Sequence, residues 1–145
     1  MDKFVNQLKI AFASQYAFAI KAQNFHWNVE GNDFYQKHKM FQKIYEETYG
    51  AVDDFAENIR KIKAYTPASL YRFSALSAVD DEVEILDPPA MVAELLRDAE
   101  KMQEIMKVLF TEAENLGHHG LSNFLADRQD AFAKHAWFLR STLKD

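Results

Sequence analysis

Apolar residues recur along this chain at steps of three and four, and no sustained run alternates at every second position. Steps of three and four paint one face of a helix, which turns once in about 3.6 residues. The pattern predicts four long helical segments and no strand. The first runs from about Lys3 to Asn28, with Phe4, Leu8, Ala11, Phe12, Gln15, Ala19, Ala22 and Phe25 facing inward. Gly31 is its natural stop. Asn32-Asp33 can cap the next helix, and Asp33 with Gln36 fits a capping box. That second helix is predicted from about Phe34 to Ala64, striped by Phe41, Ile44, Tyr45, Thr48, Val52, Phe55, Ala56, Ile59 and Ile62. Pro67 ends it or follows just after.

Residues 66–87 then form a long connection. Leu70, Phe73 and Leu76 repeat every three residues, so Leu70 to Leu76 is expected as a short helix within it. The acidic run Asp80-Asp81-Glu82 is expected as solvated loop. Asp87-Pro88 opens the third helix, the aspartate as cap and the proline in the first helical turn. Its inward face is Met91, Leu95, Ala99, Met102, Met106, Leu109, Ala113 and Leu116, and Gly117 ends it. The fourth helix spans about Leu121 to Leu143, with Leu121, Phe124, Leu125, Phe132, Ala136 and Leu139 inward. Two connections are tight and the middle one is long enough to cross a bundle end to end. The expected all-α architecture is therefore a four-helix bundle of two hairpins joined by one long crossover. An up-and-down bundle with a loose loop is the alternative.

Composition agrees with this picture. The 145 residues suit one domain, 1–145, and Gly (4) and Pro (3) are scarce. There is no cysteine, so a metal site here must use His, Asp and Glu, which suit iron, manganese or zinc. A net charge of −5 disfavours general nucleic-acid binding, which rests on neutralised phosphates. No apolar run is long enough to span a membrane. Met1-Asp2-Lys3-Phe4 has no leader-like pattern, and the cytoplasm is the expected location.

Four residues carry the candidate chemistry: His26, His38, Asp53 and Glu57. Asp53 and Glu57 are four apart and share one helical face. Such a pair can hold a divalent cation, or it can be an ordinary solvated pair. His26 ends the first helix and His38 begins the second, so the turn between folds them together; a single histidine on a helix is more often a plain polar residue than a ligand. On one straight helix His38 and Asp53 would lie ~22 Å apart along the axis, so one metal could not bind both within one chain. Their azimuths would differ by roughly 60°, so they point to nearly the same side. A second copy related by a twofold axis would bring the histidines of one chain to the carboxylates of the other, twice over. Glu-x-x-His, the motif of di-iron sites within one bundle, is absent.

These residues resemble the Dps family of miniferritins. The carriers are His26-Trp27-Asn28-Val29-Glu30-Gly31, then Phe34, His38, Phe41 and Tyr45, then Asp53, Ala56, Glu57, Ile59 and Arg60, with Trp137 as a family-like aromatic near the C-terminus. The resemblance implies a ferritin-like fold and a hollow homododecamer. It implies ferroxidase sites at twofold interfaces, with His26 and His38 from one subunit and Asp53 and Glu57 from its partner. It also implies oxidation of Fe(II) to Fe(III), typically by hydrogen peroxide, and storage of the ferric mineral, which limits oxidative damage. Glu57 would bridge two irons. The imidazoles would lose affinity when protonated. Trp27 is either plain packing, the preferred reading, or an interceptor of oxidising equivalents.

The chain departs from the family at Gly117-His118-His119-Gly120-Leu121-Ser122-Asn123. His119 and Asn123 stand where an acidic iron pore would place acids. Asp127 and Asp130 supply that field instead or are merely solvated. His135 is read as structural. Neither end is a basic arm, so DNA binding is expected to be weak or absent. Two other functions compete with a ferroxidase: a shell of the same shape that binds metal or shields DNA without oxidising iron, and a metal-free helical structural protein.

Overall fold

A computed structural model describes residues 2–144. It consists of α1 (Asp2–Asn28), α2 (Phe34–Gly50), α3 (Val52–Lys61), α4 (Leu70–Leu76), α5 (Pro88–Asn115) and α6 (His119–Thr142). No strand occurs among the described residues. Phe4 meets His118 while Lys21 meets Asp98, so α1 and α5 run antiparallel. Met40 meets Thr142 while Phe55 meets Phe124, so α2–α3 and α6 are antiparallel as well. The crossover therefore runs the length of the bundle, and the long helices on either side of it point the same way.

The crossover is fastened rather than loose, which decides against the up-and-down alternative. Val79 is buried in the core. The Ala78 N–H donates to Ser14 Oγ (2.8 Å), and Lys101 Nζ donates to the Ala78 carbonyl (2.7 Å). Phe73 of α4 stacks on Tyr16 at 4.5 Å between ring centroids. Ser69 caps α4 by accepting from the Arg72 N–H. Glu82 is more than solvated loop: its main-chain carbonyl accepts from Asn24 Nδ2 at 3.2 Å.

The apolar stripes form the core. Every inward residue expected of α1 is buried, as are Met91 to Ala113 on α5. Leu116, expected inward, is 46 % exposed because it is the C-cap of α5, outside the packed face. Asp87 caps α5 as expected, its carboxylate accepting from the Ala90 N–H at 3.1 Å. Gly117 (φ 80°) stops α5 through the bond from the His118 N–H to the Ala113 carbonyl.

Three local expectations need correction. Asp33 does not cap α2 through its side chain; it sits in the left-handed region (φ 62°), and no capping box forms. The second helix is not continuous, because Ala51 leaves helical geometry (φ −96°, ψ 0°). Gly50 lowers local helix propensity. The Thr48 hydroxyl, bonded back to the Ile44 carbonyl at 2.7 Å, favours a bend. α3 also stops at Lys61, short of Ala64. Lys63 takes φ 70°, and the Ala64 N–H reaches back to the Ile59 carbonyl, a helix-ending motif that usually employs glycine.

Candidate metal centre

The turn between α1 and α2 locks two imidazoles together. His26 Nδ1–H donates to the His38 carbonyl (2.8 Å), and His38 Nδ1–H donates to the His26 carbonyl (2.7 Å). A main-chain carbonyl only accepts, so both protons sit on Nδ1. Each neutral ring then keeps its lone pair at Nε2, the tautomer a metal ligand needs. The rings lie nearly parallel, 3.8 Å between centroids. Phe34 covers His38 from outside, and Tyr45 leans on His26. His26 is buried and His38 half-buried.

Asp53 and Glu57 stand on α3, both exposed, with Asp53 in the first turn where the helix dipole favours an anion. Among the described residues neither has an ion-pair partner. No group of three His, Asp or Glu side chains close enough to hold a metal occurs among them either. One chain thus carries an imidazole pair and a carboxylate pair that it does not bring together. The break at Ala51 means the azimuth between His38 and Asp53 is not that of a straight helix. Trp27, beside His26 in sequence, is 66 % exposed, so it is not packed within this chain.

Between the helices lies a polar network. Arg128 pairs with Glu47 and donates from Nε to Gln15 Oε1 at 3.1 Å. His135 Nε2–H donates to Glu47 Oε1 at 2.7 Å. Burial pushes the Glu47 carboxyl up, but hydrogen bonds from His135 and Arg128 and the Arg128 charge outweigh this and hold it at about 2. Arg128 and His135 are both buried. A second buried pair, Lys21 with Asp98 at 2.6 Å, ties α1 to α5. Near the α5–α6 turn, His119 is exposed and bonds Glu114 at 2.8 Å, while His118 stacks on Phe4. Asn123, Asp127 and Asp130 are exposed.

A family model for the ferritin-like domain matches residues 5–145. The chain belongs to the ferritin-like family. Within that family it falls with the Dps proteins. It is 29 % identical over 123 residues to the DNA protection during starvation protein 2 of Bacillus anthracis, covering 85 % of this chain and 84 % of that one. The solved Dps of Staphylococcus aureus superposes with a TM-score of 0.94 at 26 % identity, over all of this chain and 97 % of that one. The Vibrio cholerae Dps, at 22 % identity, shares the fold with a TM-score of 0.93 over 99 % of this chain and 90 % of that one.

The Glu47–Arg128–His135 network was missed in the sequence, though a signal existed. The inward stripe of the last helix, Leu121, Leu125, Phe132, Leu139, skips positions at three-and-four spacing, and Arg128 and His135 fill two of them. Gln15, a polar residue inside an otherwise apolar stripe, is the partner of Arg128.

Proposed function

We propose that this protein oxidises Fe(II) to Fe(III) at sites completed by two copies of the chain and stores the ferric product inside a homo-oligomeric shell. The reciprocal lock of His26 and His38 carries this reading. Two hydrogen bonds that could have pointed either nitrogen anywhere fix both rings as Nε2 donors at one spot. Asp53 and Glu57 are the matching half: exposed carboxylates without ion-pair partners among the described residues. Hard carboxylate oxygens favour Fe(III) over Fe(II), and imidazoles keep affinity for the ferrous substrate. Each Fe(II) gives up one electron; hydrogen peroxide takes two, with two protons, and leaves as two waters. The Vibrio cholerae relative is described as a member of a broad superfamily of ferritin-like diiron-carboxylate proteins, which supports iron as the substrate.

The surface supports assembly. Leu70 and Tyr71 of α4 and Val83 and Ile85 of the crossover are at least 65 % exposed, and no residue of α4 is fully buried. Apolar surface gathered like this on one segment marks a protein interface. A dodecamer is the assembly the family resemblance implies. Tight DNA binding is not expected from a chain of net charge −5.

The test loads the purified protein anaerobically with Fe(II), adds peroxide and follows ferric absorbance. The Asp53→Ala/Glu57→Ala variant is expected to oxidise iron at least about tenfold more slowly, the scale on which disturbed metal shells lose activity. Equal rates in the two proteins would remove the assigned site.

A further inference from the structure

Tyrosines line a path that starts at the imidazole pair and leads away from it. The Tyr45 ring lies 5.2 Å from His26, centroid to centroid. Tyr49 follows at 6.0 Å from Tyr45, and Tyr16 at 5.7 Å from Tyr49. The path ends where Tyr16 stacks on Phe73, a ring that lacks a readily oxidised phenol. Elsewhere the core rings are phenylalanines: Phe18, Phe25, Phe41, Phe55 and Phe132 are fully buried. Phenols thus replace phenyls on this one seam, at the half-buried edge shared by α1 and α2.

We propose that Tyr45, Tyr49 and Tyr16 form an electron relay that supplies a second electron to peroxide when only one Fe(II) occupies the site; this rests on the metal-site reading above. A single Fe(II) gives peroxide one electron, and half-reduced peroxide falls apart into hydroxide and a hydroxyl radical. A phenol within reach closes the reaction: Fe(II) + Tyr–OH + H2O2 + H+ gives Fe(III) + Tyr–O• + 2 H2O. The O–O bond breaks, and the phenolic proton leaves with its electron. Successive edge contacts let the vacancy migrate from Tyr45 through Tyr49 to Tyr16, away from the iron. The next Fe(II) refills it: Tyr–O• + Fe(II) + H+ gives Tyr–OH + Fe(III). Burial, with Tyr16 and Tyr45 nearby, pushes the Tyr49 phenol up, which keeps it protonated until it is oxidised. Its O–H donates to Gln23 Oε1 at 3.4 Å. Trp27, next to His26 in sequence, has its ring two-thirds in solvent.

The test uses the assembled protein loaded with less than one Fe(II) per His26–His38 pair, mixed with peroxide without oxygen and freeze-quenched for electron paramagnetic resonance. A tyrosyl radical is expected in the unaltered protein. Tyr45→Phe keeps the packing and removes only the phenol, so a structural role would leave every readout unmoved. The relay instead requires loss of the tyrosyl signal and a rise in spin-trapped hydroxyl radical, with anaerobic Fe(II) affinity unchanged. Tyr35→Phe, an exposed tyrosine off the path, must keep the signal. A purely tryptophanyl radical in the unaltered protein, no radical, or a tyrosyl signal surviving in Tyr45→Phe each overturns the relay. His26→Ala separates the two readings. If it oxidises iron at the original rate, the metal site is wrong and the relay falls with it. If it does not, and Tyr45→Phe still behaves as the original protein, the relay alone is wrong.

Discussion

His26 and His38 show how little is needed to fix two imidazoles with both Nε2 atoms free: one main-chain carbonyl for each ring. The same economy holds at the buried charges. Lys21 and Asp98 are both 3 % exposed and pair at 2.6 Å, with Glu94 as a second partner of Lys21 at 3.2 Å. Lys21→Met is expected to cost about 3 kcal/mol in denaturant unfolding, because it leaves buried Asp98 only the longer contact, 3.4 Å, from the largely exposed Arg97 guanidinium. A loss below about 1 kcal/mol would mean the pair contributes little. Glu47 sets an acid limit. Its folded-state value of about 2 lies below the ordinary 4.5, so its contribution is present above roughly pH 4.5 and is lost as pH falls from there through about 2. Glu47→Gln is expected to flatten that part of the stability profile. Equal losses between pH 5 and pH 3 in both proteins would contradict the assignment. At this scale the sequence was only partly legible. It gave the identity of His26 and His38 and their closeness across a turn. It could not give the carbonyl partners that select the tautomer, because those depend on how the turn closes.

The elements were the most legible level. Stripes at three-and-four spacing located α1, α5 and α6 to within a residue or two, since each carries an apolar face, and for α5 the Asp87 cap agrees as well. The second helix is where the pattern misled. Its stripe continues straight across Ala51, from Thr48 through Val52 to Phe55, so periodicity alone cannot reveal the break. The end of α3 was missed for a related reason: Lys63 occupies a left-handed position where glycine is the usual signal. That strain is testable. Lys63→Gly is expected to raise stability by about 1 kcal/mol, the cost of holding a side chain in left-handed geometry, measured by chemical denaturation. A destabilised variant would show that the lysine side chain makes a compensating contact.

On the scale of the whole molecule, the decisive feature is that the imidazole pair and the carboxylate pair are separate. If two copies complete each other, mixing damaged chains must restore function. A chain carrying His26→Ala/His38→Ala, co-assembled with one carrying Asp53→Ala/Glu57→Ala, pairs into dimers with one doubly damaged site and one intact site. Iron oxidation is expected to return in the mixture while each variant alone stays inactive. Ferric absorbance reads the result, and an inactive mixture would place the histidines and carboxylates in different sites.

The sequence by itself determined the helices, their inward faces, the crossover and the four residues on which the metal proposal rests. All of these follow from spacing and residue type, which are properties of the chain. The tertiary structure decided what spacing cannot carry. It fastened the crossover through Ser14 and Lys101, which lie far from it in sequence. It broke the second helix at Ala51 and buried Arg128 against Glu47. It also turned both Nδ1 protons onto main-chain carbonyls. Each of these depends on which distant groups come within hydrogen-bonding distance, and only folding sets that.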